Sequence, residues 1–149
     1  VACELPLIGI TNFEALAHAI PECERVGSKL LILLETKRSD FYICLYDESL
    51  SVLVEPKTIG GVELGLLIQK GTLLLVGDAA ERARPFLQSP DLQVIISEPK
   101  MHVDPAIVAE LADGIMKRGA VADKPLPFYL KPPDVNVPKT LRRFEVFNK

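Results

Sequence analysis

Three cysteines, two histidines and one dense polar run are the residues of this 149-residue chain whose types could do chemistry. Cys3, Cys23 and Cys44 stand about twenty positions apart with no Cys-x-x-Cys pair, a pattern that indicates neither a zinc knuckle nor a disulfide framework. The odd count reads as free cytosolic thiols. His18 and His102 lie 84 positions apart, too few and too separate to hold a metal, which needs further ligands at helical or turn spacing. His18 reads as a partly exposed or core-edge helix residue and His102 as a loop residue near a helix cap. No G-x-S-x-G elbow, Walker-type loop or G-x-G-x-x-G turn occurs. Gly77-Asp78 sits between a strand and a helix, where a phosphate could rest on a helix N-terminus. Asp78 would put a carboxylate where the anion belongs, so a capping aspartate is the better reading.

The dense run is Glu35-Thr36-Lys37-Arg38-Ser39-Asp40, with apolar segments on both sides. It reads either as a solvated hairpin turn carrying both charge signs or as a corner facing a partner or an anion, and spacing does not choose between them.

The elements that must position it follow from periodicity. Residues 5 to 10 read as a short apolar strand. Thr11 and Glu14, at capping-box spacing, open a helix from about 12 to 20 that Pro21 stops. The apolar run 29 to 36 suits a strand buried on both faces, and 41 to 46 alternates with period two, so the two form an antiparallel pair. A third strand at 50 to 55 extends the meander until Pro56 interrupts it, and Gly60-Gly61 leads into a short helix through about residue 69. Strands then alternate with helices: strand 72 to 76, helix 78 to 86, strand 93 to 97, and a last helix with Asp104 as N-cap, Pro105 at its first position and Gly119 past its end. Ile107, Val108, Leu111 and Ile115 form the apolar stripe of that helix. The prediction is an α/β layer with a mixed sheet, an antiparallel meander joined to β-α units, flanked by helices.

Composition sets the class: 48% hydrophobic and 25% charged residues are the proportions of one globular domain. The expected partition is one α/β domain over 1 to 130 and an extended basic tail over 131 to 149. Prolines 125, 127, 132, 133 and 138 keep the segment around that boundary extended, with 128 to 130 docking on the body. The tail carries a net +3 and the rest of the chain −6, giving −3 overall. This balance excludes a generic nucleic-acid binder and marks the tail as a contact element. The longest apolar runs fall far below the roughly 18 residues a bilayer span requires, and we expect a cytoplasmic protein with no membrane partner. No methionine precedes Met101, and the chain is expected to be a fragment of a longer gene product.

Taken in order, several blocks resemble the C-terminal portion of the TsaB (YeaZ) family, proteins of tRNA threonylcarbamoyladenosine biosynthesis. Leu5-Pro6-Leu7-Ile8-Gly9-Ile10-Thr11 with Phe13-Glu14-Ala15-Leu16-Ala17 is similar to the family's P-x-I-G-V-S-x-L-E-A-L-A entry. Leu34 to Tyr42 is similar to its D-A-R-x-G-E-V-Y turn, Val76-Gly77-Asp78 to the next strand and turn, and Pro127-Phe128-Tyr129-Leu130-Lys131 to its P-x-Y-L-R signature. The chain departs from the pattern at Glu35 (Asp in the family), Lys37 (Arg), Ser39 (Gly) and Asp40 (Glu). Lysine lacks arginine's planar fork, and serine restricts a backbone that glycine leaves free.

The resemblance implies the second lobe of a two-lobed actin-like, ribonuclease-H-like protein without its first lobe and that lobe's Asp-Thr-Ser phosphate motif. It implies a non-catalytic scaffold that partners the threonylcarbamoyl transferase TsaD and the ATPase TsaE. It would bind no cofactor of its own, ATP belonging to the partner subunits, and would meet tRNA indirectly. Partner-contact candidates are Glu35, Lys37 and Tyr42 at the turn and Tyr129 and Lys131 at the signature strand, with no catalytic or metal-binding residue. A homodimer is a further possible assembly. The alternatives are a small hydrolase or acyltransferase, in keeping with older glycoprotease naming, and direct tRNA binding through Arg142 and Arg143 of the tail.

Overall fold

The structure, a computed structural model, describes residues 7–97, 102–119 and 125–131. Its centre is a five-stranded sheet of β1 (Ser28–Glu35), β2 (Asp40–Tyr46), β3 (Val52–Gly60), β4 (Gly71–Val76) and β5 (Leu92–Ile96) in the order β3-β2-β1-β4-β5. β1 pairs antiparallel with β2 and β2 with β3, while β1, β4 and β5 run parallel. This is the predicted mixed sheet, a meander followed by β-α units. The parallel members need crossovers, which α3 (Gly61–Leu67) and α4 (Ala80–Ala83) supply between successive strands.

Alternation along the strands builds two cores. Leu31, Leu33, Phe41, Ile43, Leu73 and Leu75 face one side, where Leu64 and Ile68 of the α3 region and Ala80 and Ala83 of α4 cover them. Leu30, Ile32, Cys44, Tyr46, Leu74 and Val76 face the other side under Phe13, Leu16 and Ala17 of α1 (Asn12–His18), with Ile20 just beyond it. Because β1 and β4 bury both faces, they read in the sequence as unbroken apolar runs.

Local chemistry sets the ends. Thr11 Oγ1 accepts from the Glu14 N–H at 3.1 Å while a Glu14 carboxylate oxygen accepts from the Thr11 N–H at 2.9 Å, the predicted capping box. Asp104 caps α5 (Pro105–Lys117) by accepting from the Ala106 N–H at 2.8 Å. The stripe on α5 is only half-buried, through contact with α1.

Three expectations are corrected and a fourth, at Pro21, is borne out and extended. Residues 7 to 10 form no strand: Gly9 lies so close to Pro125 that a Cβ would fall 2.7 Å from the ring, and a proline offers no N–H for a ladder. Pro21 does end the first helix, but it also serves as N-cap of a one-turn helix, α2 (Glu22–Arg25). Pro56 does not stop the third strand. β3 is an edge strand, and its register against β2 slips between Ile43 and Leu45, so that Glu55 and Pro56 fall in an irregularity needing no donated bond. The helix expected over 78 to 86 is four residues of α4 followed by a 3-10 turn, Arg84–Phe86, tightened at Pro85. The tail beyond residue 131 lies outside the described residues, as do Cys3, Arg142 and Arg143. Among the described residues no helix is long and apolar enough to cross a membrane.

Candidate functional site

The polar run forms the β1–β2 turn; its two carboxylates, Glu35 and Asp40, are turned inward, while Lys37 and Arg38 are exposed at the tip. Arg82, on α4, donates from Nε to Glu35 Oε1 at 2.7 Å and from Nη2 to Glu35 Oε2 at 2.9 Å, a two-pronged grip; the same Nη2 reaches the Asp40 carbonyl at 2.9 Å. Its guanidinium carbon lies 3.9 Å from the centroid of the buried Phe41 ring, so cation and ring face add to the two bonds. Phe41 in turn meets Phe86 edge-on at 5.9 Å.

On the other side of the turn, Lys131 Nζ bonds the Asp40 carboxylate and stands 5.9 Å from the Tyr42 ring centroid. Thr36 Oγ1 is 2.8 Å from the Asp40 carbonyl and accepts from the Arg38 N–H at 3.1 Å. The Arg82 hydrogen bonds hold the Glu35 carboxyl below its ordinary range. Lys131, and after it Thr36, do the same for Asp40. Both carboxylates therefore stay ionised and paired, which suits a clamp and not a proton donor.

The backbone is held as firmly. Asp78 does not cap α4, whose N-cap is Ala79; its Oδ1 accepts from the Glu35 N–H at 2.9 Å and fastens the end of β1. Gly77 has φ +112°, and a Cβ there would fall 2.1 Å from the Leu33 carbonyl oxygen, so only glycine lets β4 turn this close to β1. The positive φ of the β1–β2 turn falls at Lys37 (57°) and not at Ser39. The restriction expected of serine thus falls two positions earlier, at Lys37.

Of the five predicted contact residues, Tyr42, Tyr129 and Lys131 come together. They line an open cleft of about 560 Å³ with Thr11, Phe13 and Leu34, a size that would suit a ligand or a short peptide side chain. Glu35 and Lys37 lie outside it; Glu35 is bound to Arg82, and Lys37 is at the exposed turn tip. Within the signature segment Leu130 packs on the α1-side core as expected, whereas Phe128 and Tyr129 are 61% and 80% exposed, so Tyr129 is no core-edge aromatic. Sequence reasoning missed Arg82. It lies 47 positions from Glu35, and only the pairing of β1 with β4, which sets α4 over the turn, joins them.

The two histidines and the described thiols do not converge. His18 is an exposed residue at the end of α1, near Glu14, Glu110 and Arg118, and partial desolvation together with Arg25 lowers its pKa. His102 is exposed, Cys23 is exposed and free, and Cys44 is buried with its thiol pushed up by burial. Among the described residues no group of His, Cys, Asp and Glu could hold a metal ion.

Sheet order, crossovers and layers define an α/β fold with a mixed five-stranded sheet flanked by helices. The fold is similar to one solved structure described as "an uncharacterized protein with similarity to peptidase YEAZ from Pseudomonas aeruginosa", with a TM-score of 0.61 and 13% identity over 85% of this chain and 59% of that one. The chain thus spans less than two thirds of that neighbour's length, and the likeness is one of fold. Neither a protein-family model nor a curated protein matches the sequence.

Proposed function

We propose that this chain is a YeaZ-like second lobe acting as a non-catalytic scaffold for a TsaD-like threonylcarbamoyl transferase and its TsaE-like ATPase in tRNA modification. The observation that carries the reading is the fold likeness to a YeaZ-like protein over 85% of the chain. The ordered blocks of the sequence, from the Thr11 capping box to the Pro127–Lys131 signature, support it. The clamped turn is consistent with it, since Glu35 and Asp40 are spent on intramolecular bonds. On this reading the partner-facing groups are Tyr129 and the cleft it shares with Tyr42 and Lys131, and catalysis and ATP reside in the partners.

The test is reconstitution. The chain alone should form no threonylcarbamoyladenosine and cleave no peptide or ester, and it should bind a TsaD-like transferase weakly, because in the resembled family the first lobe makes most of that contact. Turnover by the isolated chain would favour the hydrolase or acyltransferase reading, and submicromolar binding by the lobe alone would refute the division of labour.

A further inference from the structure

We propose that the basic tail docks back on its own chain, with Arg142 and Arg143 set against Glu14 and Glu55 and Phe144 in the hollow between them. The receiving surface is a groove on the α1 side of the sheet that runs along β2. It begins at the cleft of Tyr42 and Lys131 and continues, past Thr11 and Phe128 which line both parts, into a hollow of about 220 Å³. Cys44, Tyr46, Val52, Pro56 and Phe128 make the hollow, apolar but for one thiol and one phenol, and Glu14 and Glu55 border it.

Both glutamates are exposed, and among the described residues neither has a cationic partner. Glu14 closes its capping box through Oε2 alone, which leaves Oε1 for another donor. The two charges are felt inside the hollow: burial first, and Glu55 and Glu14 in smaller measure, hold the Cys44 thiol above its ordinary range. Two unbalanced carboxylates beside an apolar hollow are complementary to a segment that brings positive charge and apolar bulk together.

The tail has that chemistry. Leu141-Arg142-Arg143-Phe144 sets two cations between two large apolar side chains, and the tail carries +3 against −6 for the rest of the chain. Of the other segments outside the described residues, 1–6 has no lysine or arginine, and 98–101 and 120–124 have one lysine each. The tail also starts in the right place. Lys131, bound to Asp40, lines the Tyr42 end of the groove. From Tyr42 to Tyr46 is four residues of strand, about 13 Å, whereas residues 132 to 140 reach about 28 Å as a proline-rich extended chain. So short a tether gives an effective concentration on the order of millimolar, at which ion pairs that are individually weak suffice to hold the segment. Docking engages in cis the two arginines otherwise offered to nucleic acid, and it does not depend on the scaffold reading.

Photo-crosslinking of the full 149-residue chain at micromolar concentration tests this, with benzoylphenylalanine in place of Phe144 and the joined peptides read by mass spectrometry. The expected product is intramolecular and links position 144 to peptides holding Tyr46, Val52 or Phe128. Arg142→Glu with Arg143→Glu should lower its yield roughly tenfold, and adding Glu55→Arg should restore most of it, because reversal on both sides re-forms the attraction. The arginines lie outside the described residues and Glu55 is exposed on an edge strand, so circular dichroism should be unchanged in each variant. Glu14 stays in place because it closes the capping box. No crosslink, crosslinks to other parts of the chain, or crosslinks chiefly to a second copy would overturn the proposal. So would a yield that the arginine reversal leaves unchanged or that Glu55→Arg fails to restore.

Discussion

Arg82 and Glu35 are joined through both guanidinium prongs and both carboxylate oxygens, at 2.7 and 2.9 Å, across 47 positions of sequence. The contact ties the helix after β4 to the turn after β1, and the ring of Phe41 beneath the guanidinium fixes its plane. The pair is partly open to solvent, at 35% and 30% side-chain exposure, so its net worth is that of a well-made surface pair and not of a buried one. In a double-mutant cycle with Glu35→Gln and Arg82→Met, read by urea denaturation, we expect a coupling of about 1 kcal/mol. Arg82→Lys should lose most of it, because an ammonium cannot make the fork.

Gly77 is the position least able to change. Gly77→Ala would place a Cβ against the Leu33 carbonyl with φ at +112°, and we expect a loss of about 3 kcal/mol or more, seen as a lower denaturation midpoint at unchanged slope.

Lys37 presents the opposite case. Its left-handed φ of 57° at an exposed tip costs a side chain what glycine does not spend. Lys37→Gly should leave stability unchanged or raise it, by up to about 0.5 kcal/mol, whereas Ser39→Gly should only lower it.

Acid should weaken the fold in two windows. Glu35 is held low by Arg82, Asp40 by Lys131 and then Thr36, and Asp47 by Ser49 and Ser51. Groups with depressed folded pKa values stabilise fully above their unfolded values, near pH 4, and that contribution disappears as pH falls further, since the unfolded chain then binds more protons. His18 acts at higher pH. Partial desolvation, and secondarily Arg25, lower its pKa against an opposing effect of Glu14. The neutral ring favours the fold, and stability should decline as pH drops below about 6.5. Denaturation midpoints from pH 7 to 3 check both; His18→Gln should flatten the upper slope and Asp40→Asn the lower.

What the sequence made legible was whatever depends on near neighbours. The capping box at Thr11 and Glu14, the Asp104-Pro105 start of α5 and the period-two run from Phe41 to Tyr46 are local patterns, and each appears where expected. The failures lie where a distant contact decides. Leu7 to Ile10 look apolar enough for a strand, but the chain brings Pro125 beside them. Pro56 looks like a stop, yet an edge position with slipped register accommodates it. Asp78 looks like a helix cap and instead serves the Glu35 N–H, because β4 lies beside β1. The polar run could be read as a turn or as a recognition corner for the same reason: its partners, Arg82 and Lys131, come from elsewhere in the chain.

The central claim, a scaffold lobe without chemistry of its own, is tested most directly by threonylcarbamoyladenosine formation in tRNA. The assay uses a TsaD-like transferase and a TsaE-like ATPase, supplied with this chain either free or joined behind the first lobe of a YeaZ-like protein. The account predicts no product from the chain alone, little gain from the free chain, and a clear gain from the joined form that Tyr129→Ala diminishes. Product or hydrolysis by the chain without its partners, or a joined form that assembles with the transferase yet leaves its rate unchanged, would contradict it.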